Sequence, residues 1–397
     1  MAYNLGDSYT GLAGGVRRGK PTRPFPRFLI PPTGTSRLFP WTMARIAIVP
    51  GDGVGPEVMT EAIRILEVVD RLGDLALGWD VWDLGAERYL ATGTTITDEE
   101  FGSLSDDYDA ILLGALGDPR VPSNVHARDI LLGLRFRLDL YVNFRPCRPL
   151  DPSLSPLRSE SGAALDLVIF RENTEGIYLG MGGSFKEGTR DEVAVEEDLN
   201  TWKGIERITR AAFHFARDRG RGRVTLVDKA NAMRHAGRLW RRVFEEVGEQ
   251  FPEIHREAAY VDAVAMDLVR RPTHYDVIVT SNLFGDVLSD LGAALVGGLG
   301  VAPSANIHPG QHALFEPVHG SAPDIAGQGI ANPVGAILCV GLLLEHLGHD
   351  EAARKLEESV AESVRAGKST PDLGGTLDTS TVGSWIADRF AARIGRT

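Results

Sequence analysis

Cysteine is nearly absent: Cys147 and Cys339 are the two in 397 residues. Two isolated thiols build neither a disulfide framework nor a zinc site, and they suit a reducing cytosol, where we expect the protein to work. Long apolar runs are also missing. The longest covers 333–344, short of the roughly 18–20 residues a membrane crossing needs, and it reads as a buried helix. Positive charge is in deficit. A net charge of −12 has the wrong sign for a nucleic-acid footprint, and solubility alone accounts for it. Internal repeats and heptads are absent as well, which excludes solenoids and coiled coils.

What is present is a chain of ordinary globular composition, long enough for two domains. Residues 1–42 stand apart. Arg17, Arg18, Lys20, Arg23, Arg27 and Arg37 face one acid, Asp7, and Pro21, Pro24, Pro26, Pro31, Pro32 and Pro40 break any helix. We expect a disordered extension, or a start at Met43; a transit-type targeting peptide is the alternative. From Arg45 onward the pattern is regular. Strand-like runs at 46–49, 110–113, 166–170, 223–227 and 275–280 alternate with helical spacing, as at 56–69 and 284–296. That alternation predicts an α/β architecture. Residues 171–200, rich in glycine and acids, form either a hairpin-like arm or a long surface loop.

Four clusters carry candidate chemistry. Gly51-Asp52-Gly53-Val54-Gly55 lies between a strand and a helix, with Asp70 further on. Its spacing is GxGxG rather than GxGxxG, so it is a weak signal for a Rossmann dinucleotide site. Arg135, Arg145 and Arg171 follow apolar stretches, and a guanidinium fork suits carboxylate recognition. Each alone is more often a surface ion-pair partner. Asp286 and Asp290 are one helical turn apart, so their carboxylates share a face. A hard divalent cation would relieve their repulsion; a solvated acidic face is the plain alternative. The fourth cluster runs from Phe315 through His319 and Asp324 to Asn332. It is a loop able to wrap a ligand, or an ordinary turn. Asp324 could accept hydrogen bonds from ribose hydroxyls and would repel a 2′-phosphate.

Six motifs in order resemble the β-decarboxylating dehydrogenases of the isocitrate/isopropylmalate type. They are GDGVGPEV (51–58), LLGLRFRLDLYVNFRP (131–146), FRENTEGIY (170–178), VDKANAMR (227–234), NLFGDVLSD (282–290) and FEPVHGSAPDIAGQGIANP (315–333). The resemblance spans about 45–347. It implies an α/β isopropylmalate dehydrogenase-like fold of two domains on one continuous mixed sheet, not a Rossmann fold. Residues 43–142 and 297–397 would form the cofactor-binding domain. Residues 143–296 would form the substrate, metal and dimerisation domain, with an arm at about 171–200. It also implies a homodimer with shared active sites, acting on a small 2-hydroxy dicarboxylate. Nucleic acid and membrane are not expected partners.

The same resemblance assigns roles. Arg135, Arg145 and Arg171 would grip substrate carboxylates. Tyr178 would be the general acid, and Lys229, from the partner subunit, the general base. Asp286 and Asp290 would hold Mg2+ or Mn2+, with Asp262 from the partner subunit also touching substrate. His319, Gly320, Ser321, Ala322, Pro323, Asp324, Ile325 and Asn332 would hold the adenosine half of NAD, and Glu316 would sit near the nicotinamide ribose. Asp324 favours NAD over NADP. Since Tyr178, Lys229, Asp262, Asp286 and Asp290 are all present, a catalytically silent homologue is disfavoured.

Substrate choice within the family turns on the segment before Arg135. Leu131 and Leu132 suit an isopropyl group, and Asp129 would repel a third carboxylate, which favours isopropylmalate and a place in leucine biosynthesis. The chain departs from that pattern at Arg128, where a glutamate is usual. Arg128 could reach an extra carboxylate, as in homoisocitrate members. Tyr141-Val142-Asn143 and the segment 148–157 are similar to tartrate and D-malate members.

Overall fold

The computed structural model describes residues 43–72, 75–157 and 165–395. The expectation for 1–42 lies outside the described residues. The strands are β1 (Ala44–Val49), β2 (Leu77–Val81), β3 (Ala110–Leu113), β4 (Val142–Cys147), β5 (Leu167–Glu172), β6 (Gly182–Phe185), β7 (Val193–Glu196), β8 (Arg223–Asp228), β9 (His255–Tyr260), β10 (Val277–Thr280), β11 (Pro303–His308) and β12 (His312–Pro317). The helices used below are α1 (Gly55–Leu72), α2 (Asp98–Asp106), α3 (Trp202–Asp218), α4 (Arg234–Gly248), α5 (Val261–Arg270), α6 (Asn282–Val296), α7 (Val334–His346) and α8 (Thr379–Ile394).

Ten strands form one sheet in the order β2-β1-β3-β12-β11-β4-β5-β10-β8-β9. Its wings are parallel: β2, β1, β3 and β12 on one side, β5, β10, β8 and β9 on the other. Between them β12, β11, β4 and β5 pair antiparallel, so the strand direction reverses at the centre. A Rossmann sheet has no such reversal in its middle.

Side chains alternate across this sheet, and the alternation makes two unlike faces. One face carries a single apolar core that runs the full width, from Ile46 and Leu112 through Phe315, Ala305, Phe144 and Phe170 to Val279 and Leu226. Helices α1, α3, α4, α7 and α8 cover it. Helix α1 shows why: Val58, Met59, Ala62, Ile65, Leu66 and Val69 recur at helical spacing and are buried. Helix α7 is the apolar run at 333–344 and is buried almost all round.

The opposite face carries two separate cores. One groups Ala47, Val49, Ile111, Leu113 and Leu314 under α2 and the segment 128–137. The other groups Cys147, Ile169, Val227 and Ile278 under α5 and α6. Between them the same face presents Asn143, Arg145, Arg171, Ser304, Asn306 and Glu316, all buried and all polar. This gap is a cleft floored by the antiparallel strands.

Residues Arg171 and Glu172 belong to β5, so the arm is shorter than 171–200. It is the two-stranded hairpin β6–β7, exposed on every residue of both strands. Among the described residues, no helix is long and apolar enough to cross a membrane.

Candidate active site

The cleft is built on strand ends. Arg145 lies mid-strand in β4, and Arg171 lies near the end of β5. Asp286 and Asp290 sit on α6, which begins directly after β10. Arg135 comes from the helical segment that packs above the first wing, and Glu316 from β12. Arg135 follows a π-helical turn, Arg128–Leu132, a distortion often found at functional sites.

Arg171 passes tightly beneath α6. A Cβ at Gly285 would come within 2.6 Å of its side chain, so only glycine leaves room. Its Nε donates to Asn282 Oδ1 at 2.8 Å, and its Nη1 pairs with Asp286. Tyr178 closes the same site: its hydroxyl donates to Asp286 Oδ2 at 2.5 Å. Burial, and then the bond to Asp286, push the Tyr178 phenol up. It therefore keeps its proton at neutral pH and can deliver it.

Arg135 and Arg145 lie close enough to Arg171 to depress it. Burial, then Arg135 and Arg145, lower the Arg171 guanidinium to about 10. Burial likewise lowers Arg145. Arg135 Nη2 donates to Glu316 Oε1 at 2.6 Å. Burial opposes ionisation of Glu316, but Arg135 and Arg145 outweigh it and hold the carboxyl low. Arg145 differs from its neighbours. It is 6% exposed, and the one side-chain hydrogen bond it makes among the described residues runs from Nε to Asn143 Oδ1 at 2.7 Å. Glu316, Asp286 and Asp290 act on it through space, but no carboxylate bonds it directly there. A buried guanidinium with no direct ion pair is costly, and a ligand carboxylate would compensate it.

The acidic pair carries a charge conflict that a cation would relieve. Burial raises Asp286, but Arg171, Tyr178 and Arg145 outweigh it and hold the carboxylate ionised. Burial and the neighbouring Asp286 push Asp290 up. That repulsion is what a divalent ion bound by both would remove. Asp262 is bound differently. It pairs with Lys229 at the ends of β8 and β9, and neither forms a hydrogen bond or ion pair with Arg135, Arg145, Arg171, Tyr178, Asp286 or Asp290. Among the described residues, no three His, Cys, Asp or Glu side chains converge to hold a metal. One chain thus brings two of the three expected acidic ligands together, and pairs the third, Asp262, with Lys229.

The loop 319–325 folds onto the first glycine cluster. Val54 N donates to Ser321 O at 2.8 Å, and Gly53, with φ +58°, leaves no space for a Cβ beside Ser321. Asp52 is buried as a structural hub. It accepts from Ala86 N at 2.6 Å and Gly117 N at 2.8 Å and contacts His126 Nε2 at 2.8 Å. That cluster therefore shapes a loop rather than a Rossmann phosphate site, and Asp70 on α1 is exposed away from it. His319 is lowered by burial, so its ring is neutral. Gly320, Pro323 and Asp324 are exposed, Ala322 and Ile325 half-buried. Asn332 is buried at the loop's end, capping α7 through Val334 N at 3.0 Å and reaching Asp372 at 2.9 Å.

Glu316 lies within the arginine network, bonded to Arg135 and Asn306. Leu131 packs partly into the first wing's core, whereas Leu132 is half-buried outside it. Arg128 is exposed and bonds Asp129 at 3.3 Å, so the two charges partly cancel each other. Asn306, Asn173 and Asn282, which hydrogen-bond Glu316, Asn306 and Arg171 respectively, were not picked out from sequence. The readable signal for Asn306 was the alternation Ser304-Ala305-Asn306-Ile307, polar every second residue in a buried strand.

The model of the family described as isocitrate/isopropylmalate dehydrogenase matches residues 45–386. A protein of Thermobifida fusca named 3-isopropylmalate dehydrogenase is 45% identical over 349 residues, covering 87% of this chain and 98% of that one. One of the same name from Beutenbergia cavernae is 47% identical over 344 residues, covering 85% and 98%. The crystal structure of isocitrate dehydrogenase from Methylococcus capsulatus is similar with a TM-score of 0.81 at 37% identity, covering 88% of this chain and all of that one.

Proposed function

The chain belongs to the isocitrate/isopropylmalate dehydrogenase family, and from that premise we propose that it oxidises (2R,3S)-3-isopropylmalate with NAD and removes its β-carboxylate as CO2. The product is 4-methyl-2-oxopentanoate, a step of leucine biosynthesis. The observation that carries the reading is Arg145: a buried guanidinium with no carboxylate of its own, set between two acid-paired arginines and facing an acidic pair. That is a receptor for a dianion which also chelates a cation.

Arg135, Arg145 and Arg171 hold the two carboxylates and so fix the carbon chain across the cleft. A divalent cation at Asp286 and Asp290 would supply Lewis acidity to the 2-hydroxyl, and NAD along 319–325 and Asn332 would accept the hydride. Lys229 of the partner subunit takes the hydroxyl proton, and Asp262 of the partner subunit completes the acidic set. The bond from C3 to the β-carboxylate then breaks, CO2 leaves, and Tyr178 returns a proton to C3. Leu132, outside the core, is the better placed of the leucine pair to meet an isopropyl group.

Shared sites require two copies. We assign the dimer contact to the arm and to the second wing's outer helices. Phe185 (67% exposed) and Val195 on the arm, Met266 and Val269 on α5, and Val287 on α6 are apolar and exposed in one copy. We place the domain division at the β11–β4 seam, with 43–142 and 297–397 on one side and 143–296 on the other.

The test is NADH formation with Mn2+ against 3-isopropylmalate, D-malate, tartrate, isocitrate and homoisocitrate in parallel. We expect kcat/KM on 3-isopropylmalate to lead by at least about tenfold, NADP to be a poor substitute, and chelation to abolish turnover. A dominant rate on D-malate would replace the substrate, and activity indifferent to chelator would remove the metal.

A further inference from the structure

The cleft floor contains a chain of carboxamides that the chemistry above does not use. At its middle is Asn306 on β11, fully buried. Its Oδ1 accepts from Asn143 Nδ2 at 2.7 Å and from Asn173 Nδ2 at 2.9 Å. Its Nδ2 donates to Glu316 Oε1 at 2.9 Å. The chain has a fixed polarity. An arginine can only donate, so Asn143 turns Oδ1 to Arg145 Nε and its amide nitrogen to Asn306. An ionised carboxylate can only accept, so Asn306 turns its nitrogen to Glu316. Both requirements meet at Asn306 without leaving its Oδ1 or Nδ2 unmatched. The chain crosses the antiparallel seam, with Arg135 held by Glu316 at one end and Arg145 held by Asn143 at the other.

We infer that Asn306 is a positioning residue for the substrate: one carboxamide sets the spacing of the Arg135 and Arg145 forks across the seam. The inference rests on the reading that these arginines grip the two carboxylates. Arginine side chains are long and lose their aim unless neighbours hold them, and bidentate recognition tolerates little displacement. Aspartate at 306 would set a second buried carboxylate against Glu316 and compete for the arginines. Leucine would strip partners from Asn143, Asn173 and Glu316 at once.

The test compares the full-length protein with Asn306→Asp, which preserves shape and the acceptor toward Asn143 and Asn173 but removes the donor to Glu316. We expect KM for 3-isopropylmalate to rise about 10–30-fold while kcat changes less than about threefold. KM for NAD should stay constant. Calorimetry with 2-isopropylsuccinate, which lacks the reacting hydroxyl, should report weakening by the same factor as KM. Should Asn306→Asp not fold, Asn306→Ser carries the same test, since its hydroxyl cannot span the three partners. Unchanged KM and calorimetric affinity overturn the proposal, as does a fall in kcat with KM constant. If the unaltered protein turns over none of the diacids, the underlying functional reading fails instead.

Discussion

On one face of the central strands stand Phe144, Phe170, Ala305 and Phe315; on the other, from the same strands, stand Arg145, Arg171, Asn306 and Glu316. Both sets are buried. The first is apolar, with Phe144 and Phe170 edge to face, 5.6 Å apart at their centroids, and Phe215 joining from α3. The second is a set of charges whose partners are other charges and amides. A continuous core on one side gives the sheet rigidity, and it lets the other side spend stability on charges held ready for a ligand. Burial alone therefore does not tell core from site; what matters is whether each polar atom has its partner within the chain.

Neighbouring residues can break this comparison. Arg145→Leu removes the unpaired guanidinium. We expect kcat/KM to fall about 10³-fold, the order reported for losing a key charge-stabilising donor, while thermal unfolding shows a midpoint unchanged or raised. Phe144→Ala, one residue earlier, should do the reverse. It should cost about 3–5 kcal/mol in denaturant unfolding with KM for substrate nearly constant. If Arg145→Leu destabilised as much as Phe144→Ala, the cleft charges would be structural.

A third variant sharpens the comparison from the exception on the core face. Glu172 is 1% exposed. Burial and the nearby Glu175 push its carboxyl up to about 7. A raised acid is neutral in the folded state and ionised when unfolded, so it makes stability fall as pH rises from about 4.5 to about 7. Glu172→Gln should flatten that slope, read by urea unfolding at pH 5 and pH 8, although its amide nitrogen cannot accept from Thr174 N and Glu175 N as the carboxylate does. The smallest effect belongs to the rim. Arg128 is exposed beside Asp129, so Arg128→Ala should change stability by less than about 0.5 kcal/mol and KM for 3-isopropylmalate by less than about threefold. A large loss on homoisocitrate in that variant would give Arg128 a role in recognition.

Much of this was legible before any coordinates. Strands β1, β3, β5, β8 and β10 announce themselves as apolar runs, and the turn from β10 into α6 puts Asp286 and Asp290 where a helical period places them. The antiparallel pair β11–β12 was not read, because its polar residues break the apolar run. Those same residues, Ser304, Asn306 and Glu316, build the cleft floor. Glu316 was assigned near the nicotinamide ribose through the family resemblance; its bonds to Arg135 and Asn306 follow from period two in the strand, which the sequence reading did not use. Lys229 and Asp262 were assigned to the partner subunit through the family resemblance alone, because local spacing does not encode which distant side chains meet.

The strand order also has a consequence for how the chain assembles. The second wing is contiguous: β5, β8, β9 and β10 all lie between 167 and 280. The first wing is split, since Ile111 of β3 must await Leu314 of β12 before its edge is covered. Long-range pairing is entropically late. Pulse-labelled hydrogen exchange during refolding should therefore find amides of β8 and β10 protected before those of β1 and β3, so that the last contacts to lock are those along the β4–β11 seam, which carries Asn143 and Asn306.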